Sequence, residues 1–311
     1  MHVFYADHQE VELPEGHRFP MGKYRRLREL LCERGILTAD ELQASGPAPL
    51  AAIRAVHAPR YVDGVLAGDL PREEIKRLGF PWSQALVRRS LASVGGTLSA
   101  ARQALRDGLS GNLAGGTHHA YRDFGSGFCV FNDLVITARA LLDEGAVGRV
   151  LVFDVDVHQG DGTAAMCTNE PRVFTCSLHG AKNFPARKQQ SDLDVPLPDG
   201  ADDLLYLDQM DRALDTCLAS GKFDLALVQG GVDGLESDRL GRLSLTQAGL
   251  AERDQRLLGR LRSEGLPIAL TLGGGYGQPI ETSLEAHLGT YRAAKDLQNR
   301  EGRQSGGCRT G

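Results

Sequence analysis

Four short runs of apolar and β-branched residues dominate the second half of the chain. They occupy residues 149–156 (RVLVFDVD), 172–179 (RVFTCSLH), 223–231 (FDLALVQGG) and 267–275 (PIALTLGGG). Nearly continuous apolar runs of this length are typical of strands that are buried on both faces. Helical patterns at about 202–219 and 246–264 separate the later runs. This alternation predicts a parallel sheet with helices on both faces.

The first half of the chain is more helical. A short strand is expected at Val3–Tyr5, followed by helices whose boundaries are marked by proline and glycine. These helices are predicted at 21–34, from Pro59 to Gly68, at 81–108 with an interruption at Gly95-Gly96, and at 132–144. We expect one domain over residues 1–297 and a polar, glycine-rich, disordered tail over residues 298–311.

Charge and cysteine usage exclude several classes of protein. The 311 residues carry a net charge of −5 without a basic stripe, which argues against direct binding of nucleic acid. No apolar run approaches the ~18 residues of a membrane span. The six cysteines are scattered and form no C-x-x-C pair. The sequence therefore predicts a reduced, cytoplasmic protein that does not act at a membrane.

Polar residues follow the predicted strands, where ligands bind in open parallel sheets. Asp154, Asp156 and His158 alternate along the chain, so they would share one face if the strand stayed regular. Asp233 follows a later strand. Two aspartates and one histidine are a three-ligand set typical of a catalytic divalent metal with an open position, and they suit Zn²⁺, Fe²⁺ or Mn²⁺. The competing interpretation is that these aspartates only cap helices.

Two adjacent histidines, His118 and His119, follow Gly115-Gly116. Neighbouring side chains on an extended segment point to opposite faces, so both can reach one point only if the backbone is irregular. One of them could take a proton from water, and Tyr276, after three glycines, could donate a hydrogen bond to an oxyanion. A lone tyrosine is more often a packing residue, so this assignment rests on its glycine-rich turn.

Nine motifs together resemble the zinc-dependent histone deacetylase family of the arginase-deacetylase superfamily. They are GHRFPMGKY, HAPRYVDGV, GGTHHA, GSGFCVFND, DVDVHQGDG, SLH, GGVDG, DRLGRLSLT and LGGGY, and they run from Gly16 to Tyr276. The segment NFPARKQQSDLDVPLPDG is most similar to class IV enzymes and their bacterial relatives. The resemblance implies a three-layer α/β/α fold with a central, mostly parallel, eight-stranded sheet.

The resemblance also implies roles for individual residues. Zn²⁺, or Fe²⁺ in its place, would be bound by Asp156, His158 and Asp233. His119 would act as general base and then general acid beside His118. Tyr276 would donate its hydroxyl to the acyl oxygen. Two carboxylates would orient the histidines, Asp154 for His118 and Asp161 for His119.

Further residues match the family's substrate tunnel and potassium site. The tunnel residues are Phe128, Phe184, Gly127 and Gly274. A structural K⁺ would be held by Ser177, Leu178 and backbone oxygens of Asp154, Asp156 and His158. Arg18 matches an arginine near the product exit of relatives. The two phenylalanines could also be ordinary core residues.

The implied activity is removal of an acyl group, acetyl or longer, from acylated lysine in a protein or peptide, or from a small acylated amine, and the sequence leaves this choice of substrate open. Three departures from the family pattern affect the rim: three glycines instead of four before Tyr276, Gln159 where many relatives carry histidine, and the loop FPARKQQSD. The sequence leaves the acyl length and the oligomeric state open.

Three other functions compete with this one. The main alternative is hydrolysis of an acetylpolyamine or another small-molecule amide; acetylpolyamine hydrolases would carry a long loop insertion, which the chain lacks. An arginase-like ureohydrolase would need two Mn²⁺ ions and a second Asp-x-x-Asp cluster, whereas residues 231–234 are followed by Glu236 and Asp238. A silent acyl-lysine reader would have lost a ligand or the tyrosine, yet all matched positions are filled.

Overall fold

The computed structural model describes residues 1–306, and within them eight strands form one all-parallel sheet. The spatial order is β2-β1-β3-β8-β7-β4-β5-β6. The strands are β1 (Val3–Tyr5), β2 (Leu42–Ala44), β3 (Leu109–Asn112), β4 (Val150–Asp154), β5 (Val173–Gly180), β6 (Leu193–Leu197), β7 (Leu225–Gln229) and β8 (Ile268–Thr271). The five strands predicted from sequence are confirmed.

Ten α-helices of the described chain connect and cover these strands. They are α1 (Lys23–Glu33), α2 (Leu50–Val56), α3 (Pro59–Ala67), α4 (Arg72–Leu78), α5 (Gln84–Asp107), α6 (Asp133–Asp143), α7 (Asp161–Cys167), α8 (Asp203–Ala219), α9 (Gln247–Ser263) and α10 (Glu281–Gly306). Ser83 caps α5 and Asn132 caps α6, each accepting a backbone N–H through its side chain. Gly68 ends α3 in the left-handed conformation, as its sequence predicts.

The sheet separates two apolar cores, which makes the molecule three layers thick. Along β4, Leu151 and Phe153 pack into one core and Val150 and Val152 into the other. The first core is closed mainly by α1, α8, α9 and α10, and the second by α2, α3, α5 and α6. A central strand that packs on both faces explains the continuous apolar runs in the sequence. The predicted three-layer α/β/α architecture is confirmed.

The predicted interruption at Gly95-Gly96 is wrong, because α5 continues through both residues. These glycines serve close packing instead. A Cβ at Gly95 would collide with the carbonyl oxygen of Gly46, and one at Gly96 would lie 2.7 Å from Oδ1 of Asn112. Helix α5 can therefore lie against its neighbours at backbone distance.

The C-terminal helix α10 was not expected. It continues to Gly306, past residue 297 where the sequence suggested that the domain ends. The last five residues of the expected tail, 307–311, lie outside the described residues. Among the helices of residues 1–306, none has the length and hydropathy of a membrane-spanning segment.

Candidate metal centre and active site

The residues singled out in the sequence meet at the carboxyl edge of the sheet, around its middle strands. His118 and His119 follow β3, and Tyr276 follows β8. Asp233 follows β7, while His158 follows β4. Because β3, β8, β7 and β4 are neighbours in the sheet, these segments converge.

Asp156, His158 and Asp233 form a buried cluster. One potential ligand atom from each lies within 4.8 Å of the others. The His158 Nδ1 atom is 2.9 Å from Asp156 Oδ1 and 3.1 Å from Asp233 Oδ2. The chemistry of this donor set, two carboxylates and an imidazole, matches that of catalytic zinc sites.

The turn after β4 brings these ligands together, but not as a regular strand. The expected alternation along one strand is wrong, since β4 ends at Asp154. Instead, Asp154 Oδ1 accepts the Asp156 backbone N–H at 3.1 Å, and Asp156 Oδ1 accepts that of His158 at 3.0 Å. Two consecutive side-chain-to-backbone turns therefore aim the ligands inward.

The remaining carboxylate oxygens are held by protein donors. Asp156 Oδ2 accepts hydrogen bonds from Gln229 Nε2 at 2.9 Å and from the Gly274 N–H at 2.8 Å. Asp233 Oδ1 accepts the Val157 N–H at 2.9 Å. Burial, together with the charge of Asp156, raises the pKa of Asp233 to about 7. A divalent cation would relieve this repulsion, so the residues fit a bound metal ion.

The backbone of Gly115 and Gly116 explains how two adjacent histidines face one site. Both glycines have positive φ, +78° and +75°. Asp133 fixes the turn by accepting the N–H of Gly116 at 3.0 Å and that of Thr117 at 2.7 Å. As a result, the ring centroids of His118 and His119 lie 4.1 Å apart.

Each histidine contacts a different buried carboxylate. His118 Nδ1 lies 2.6 Å from Asp154 Oδ2, and His119 Nδ1 lies 2.6 Å from Asp161 Oδ1. These are the pairs that the resemblance implied. Asp161 has a second partner that the sequence did not indicate, because the Tyr121 hydroxyl donates to its Oδ2 at 2.9 Å.

The two histidines differ in protonation. Burial opposes a charge on His118, but Asp154 and Asp156 outweigh it and raise its pKa to about 9. Burial and the adjacent charge of His118 lower the pKa of His119 to about 4, against the opposing effect of Asp161. The two shifts run in opposite directions: they favour a charged His118 and a neutral His119 that can accept a proton.

Tyr276 lies beside this pair in a buried position. Its backbone N–H donates to Asp238 Oδ2 at 2.6 Å, and its ring packs 6.3 Å from that of Phe128. Within the described residues its hydroxyl has no hydrogen-bond partner. Burial raises the pKa of Tyr276 well above its ordinary value, so the phenol keeps its proton at neutral pH. The hydroxyl is thus available as a donor.

A cavity of about 710 Å³ connects the site to solvent. Phe184 is 45% exposed at its mouth, and its ring meets that of His119 edge-on at 4.8 Å. Phe128 lines the same cavity, with a φ of +66°. A Cβ at Gly127 would lie 2.7 Å from His119 Cδ2, and one at Gly274 would collide with Asp233 Oδ2. All four residues predicted for the tunnel line the same cavity as Asp156, His158 and Asp233.

The residues predicted for the potassium site and the product exit include Ser177, Leu178 and Arg18. Ser177 and Leu178 lie on β5, and Ser177 pairs in register with Asp154 of β4. Arg18 lines the cavity with an exposed side chain. The buried cations near the site, Lys23 and Arg89, were missed by the sequence analysis. Arg89 lies outside the nine motifs, and Lys23 lies within GHRFPMGKY without a role being assigned to it.

Gln159 fixes the unusual rim loop. Its Nε2 donates to the Gln189 carbonyl at 2.8 Å, and its Oε1 accepts the Gln189 N–H at 2.8 Å. Lys188 connects two parts of the same loop by donating to the carbonyls of Asn183 and Pro185, each at 2.6 Å. Two departures from the family pattern, the glutamine and the loop sequence, are thus one structural unit.

Solved structures share the fold of this chain. An HDAC homologue from Aquifex aeolicus matches with a TM-score of 0.76 and 21% identity, over 96% of this chain and 88% of that chain. The fold is therefore the arginase-deacetylase fold, as the sequence predicted.

Sequence comparison defines the family. The histone deacetylase domain model matches residues 17–290. An uncharacterised protein of Picosynechococcus sp. is 42% identical over 95% of this chain and 98% of its own length. Histone deacetylase RPD3 of Saccharomyces cerevisiae is 30% identical over 84% of this chain and 64% of the yeast protein. The chain belongs to the histone deacetylase family and is a hydrolase of the deacetylase type.

Proposed function

We propose that the protein is a metal-dependent amidohydrolase that removes an acyl group from N-acyl-lysine or a related acylated amine. One observation carries this proposal: His119 and Tyr276 line the same cavity as a buried group of two aspartates and one histidine. Amide hydrolysis needs both a proton acceptor for water and a donor for the carbonyl oxygen. This site offers both beside a set of metal ligands.

Asp156, His158 and Asp233 would hold the metal, for which Zn²⁺ is the first candidate and Fe²⁺ the second. When bound, such an ion supplies Lewis-acid chemistry that polarises a carbonyl and acidifies water. Ser177 and Leu178 would take part in a structural K⁺ site with backbone oxygens of Asp154, Asp156 and His158. A cytoplasmic location remains a prediction from the composition.

His119 would accept the proton of the attacking water and return it to the departing amine. Its Nδ1 faces Asp161 at 2.6 Å, which leaves Nε2 for the water. His118 would keep its positive charge and stabilise negative charge that develops on the substrate. The 2.6 Å contact with Asp154 maintains that protonation state.

Tyr276 would donate its hydroxyl to the acyl oxygen as charge builds there. Phe128 and Phe184 would flank the aliphatic part of the lysine side chain, which offers no charge to read. Gly127 and Gly274 leave the room that this approach requires, since a Cβ on either would meet His119 or Asp233.

The proposal is tested by hydrolysis of an N-acetyl-lysine peptide and of acetylspermidine, each with and without a chelator. We expect peptide turnover that disappears with the chelator and returns with Zn²⁺. Turnover of acetylspermidine alone would replace the lysine substrate with a small amine. Absence of turnover on both, in protein that contains stoichiometric metal, would refute the proposal.

A further inference from the structure

The buried wall of the active-site cavity combines apolar side chains, the serines Ser90 and Ser93, and one buried cation. Its buried walls include Phe80, Leu86, Val94 and Phe131, which are at most 4% exposed. Arg89, from α5, lines the same cavity and is 7% exposed. The other arginines of the cavity are exposed, so Arg89 is the only buried arginine among the described residues that line it.

This guanidinium lacks a polar partner. Within residues 1–303, no hydrogen bond or ion pair to it is found. Its main contact is the ring of Tyr24, whose centroid is 4.5 Å from Cζ. Asp7 is the carboxylate whose charge acts on Arg89. Asp7 is already paired with Arg28, which donates to its two oxygens at 3.0 and 3.1 Å. A buried guanidinium without an anion is costly, and a cation–π contact offsets only part of that cost.

Three cation–ring contacts connect Arg89 to Tyr276, the first of which is that of Arg89 with Tyr24. Lys23 Nζ lies 5.2 Å from the ring of Tyr276 and 5.3 Å from that of Tyr24, on whose ring Arg89 also lies. Lys23 itself is engaged, since it donates to the Gly275 carbonyl at 3.1 Å. Among the described residues that line this cavity, Arg89 is therefore the buried cation without a hydrogen-bond or ion-pair partner.

We propose that Arg89 binds a carboxylate at the far end of the acyl group, so that the enzyme removes acyl chains ending in a carboxylate, such as succinyl or glutaryl. This inference rests on the proposed function. A lysine carried by a protein or peptide must stay on the solvent side, so the acyl group extends inward from the metal cluster towards Arg89. Hydrolysis adds water across the C–N bond and releases the lysine amine and a dicarboxylate. A neutral chain of the same length would leave the guanidinium donors unpaired.

The test compares acyl-lysine peptides in pairs matched for chain length: butyryl with succinyl, valeryl with glutaryl, and hexanoyl with adipoyl. The readout is the ratio of kcat/KM for the carboxylated member over the neutral one. In the wild type we expect a ratio of about 10 to 100 at the best length, the range of a charge-assisted hydrogen bond. A ratio at or below one for every pair would overturn the proposal.

The neighbouring arginine provides the matched control. Arg88→Met, on the exposed face of α5, should keep the wild-type ratio, whereas Arg89→Met should lower it by at least about tenfold. Arg89→Lys should retain part of the preference, because it keeps the charge. An unchanged ratio in a folded Arg89→Met protein would contradict the assignment.

A second measurement applies to the wild type alone, should Arg89→Met fail to fold. Glutarate should inhibit hydrolysis of the acetyl peptide at least about tenfold more strongly than valerate. Equal inhibition by the two would count against a distal carboxylate site. Hydrolysis of acetyl and butyryl peptides without any carboxylate preference would leave the proposed function intact and reject only this inference. No hydrolysis of any peptide or of acetylspermidine, by protein that contains stoichiometric metal, would reject the proposed function.

Discussion

Tyr276→Phe isolates the contribution of one hydroxyl. The ring packs against Phe19 and Phe128, at 6.2 and 6.3 Å between centroids, and phenylalanine preserves that packing. Because the hydroxyl donates to no described residue, its removal breaks no hydrogen bond within the fold. The free energy of unfolding should therefore change by less than about 0.5 kcal/mol.

The effect on catalysis should be large. Loss of one donor to a developing oxyanion typically costs about 10²–10³ in rate, which is about 3–4 kcal/mol of transition-state stabilisation. The assay is kcat/KM of the zinc-loaded protein on an acyl-lysine peptide, together with urea unfolding of the same preparations. A loss of less than about tenfold in kcat/KM would refute the role of this hydroxyl.

Tyr61→Phe is the matched control for this substitution. The Tyr61 hydroxyl is buried and donates to the Val130 carbonyl at 2.7 Å, away from the metal ligands. Its removal should cost about 1 kcal/mol of stability and little activity. Tyr276→Phe should therefore lower kcat/KM with little change in stability, whereas Tyr61→Phe should lower stability with little change in kcat/KM. Equal effects of the two variants on kcat/KM would contradict the account.

Three further predictions concern other parts of the site. Gly274→Ala should lower metal affinity at least about tenfold, because its Cβ would collide with Asp233 Oδ2. The measurement is a competition titration, and wild-type affinity would show that the loop can move away. Tyr121→Phe should lower kcat/KM about two- to tenfold, because Asp161 loses the hydroxyl donor at 2.9 Å, and an unchanged value would assign Tyr121 to packing alone. Burial lowers the pKa of His57 to about 4, so the stability that this neutral imidazole contributes is complete above about pH 6.5 and is lost as the pH falls towards 4. When the pH is lowered from 7 to 5, the free energy of unfolding should therefore fall by about 2 kcal/mol less in His57→Gln than in the wild type. An identical pH dependence of the two proteins would contradict a neutral, buried His57.

The sequence was sufficient for β1, β4, β5, β7 and β8 but not for β2, β3 and β6. β4 and β7 are continuous apolar runs because both of their faces are buried. β3 is equally buried, yet its sequence Leu109–Asn112 contains serine and glycine and carries no strand signal. A Cβ at Gly111 would lie 3.0 Å from the Tyr291 ring, so packing by α10 explains this glycine. β6 lies at the edge of the sheet and tolerates Pro196.

The site was predictable where its residues share a motif. Asp156 and His158 are two positions apart, and their backbone turn is local. By contrast, Lys23 donates to the Gly275 carbonyl, which is 252 positions away in the sequence, and neither residue type indicates this contact. Arg89 lies within an ordinary helical pattern, and only the cavity reveals that it faces the active site. Contacts of this kind depend on the packing of whole elements.

The central claim is that hydrolysis depends on one metal ion at Asp156, His158 and Asp233. The most direct measurement is a titration of metal-free protein with Zn²⁺, following hydrolysis of the best substrate in the acyl-peptide panel. The account predicts that activity rises linearly and stops rising at one equivalent per chain, and that Asp233→Asn shows no such rise. Full activity of the metal-free protein, or a break at two equivalents, would contradict it.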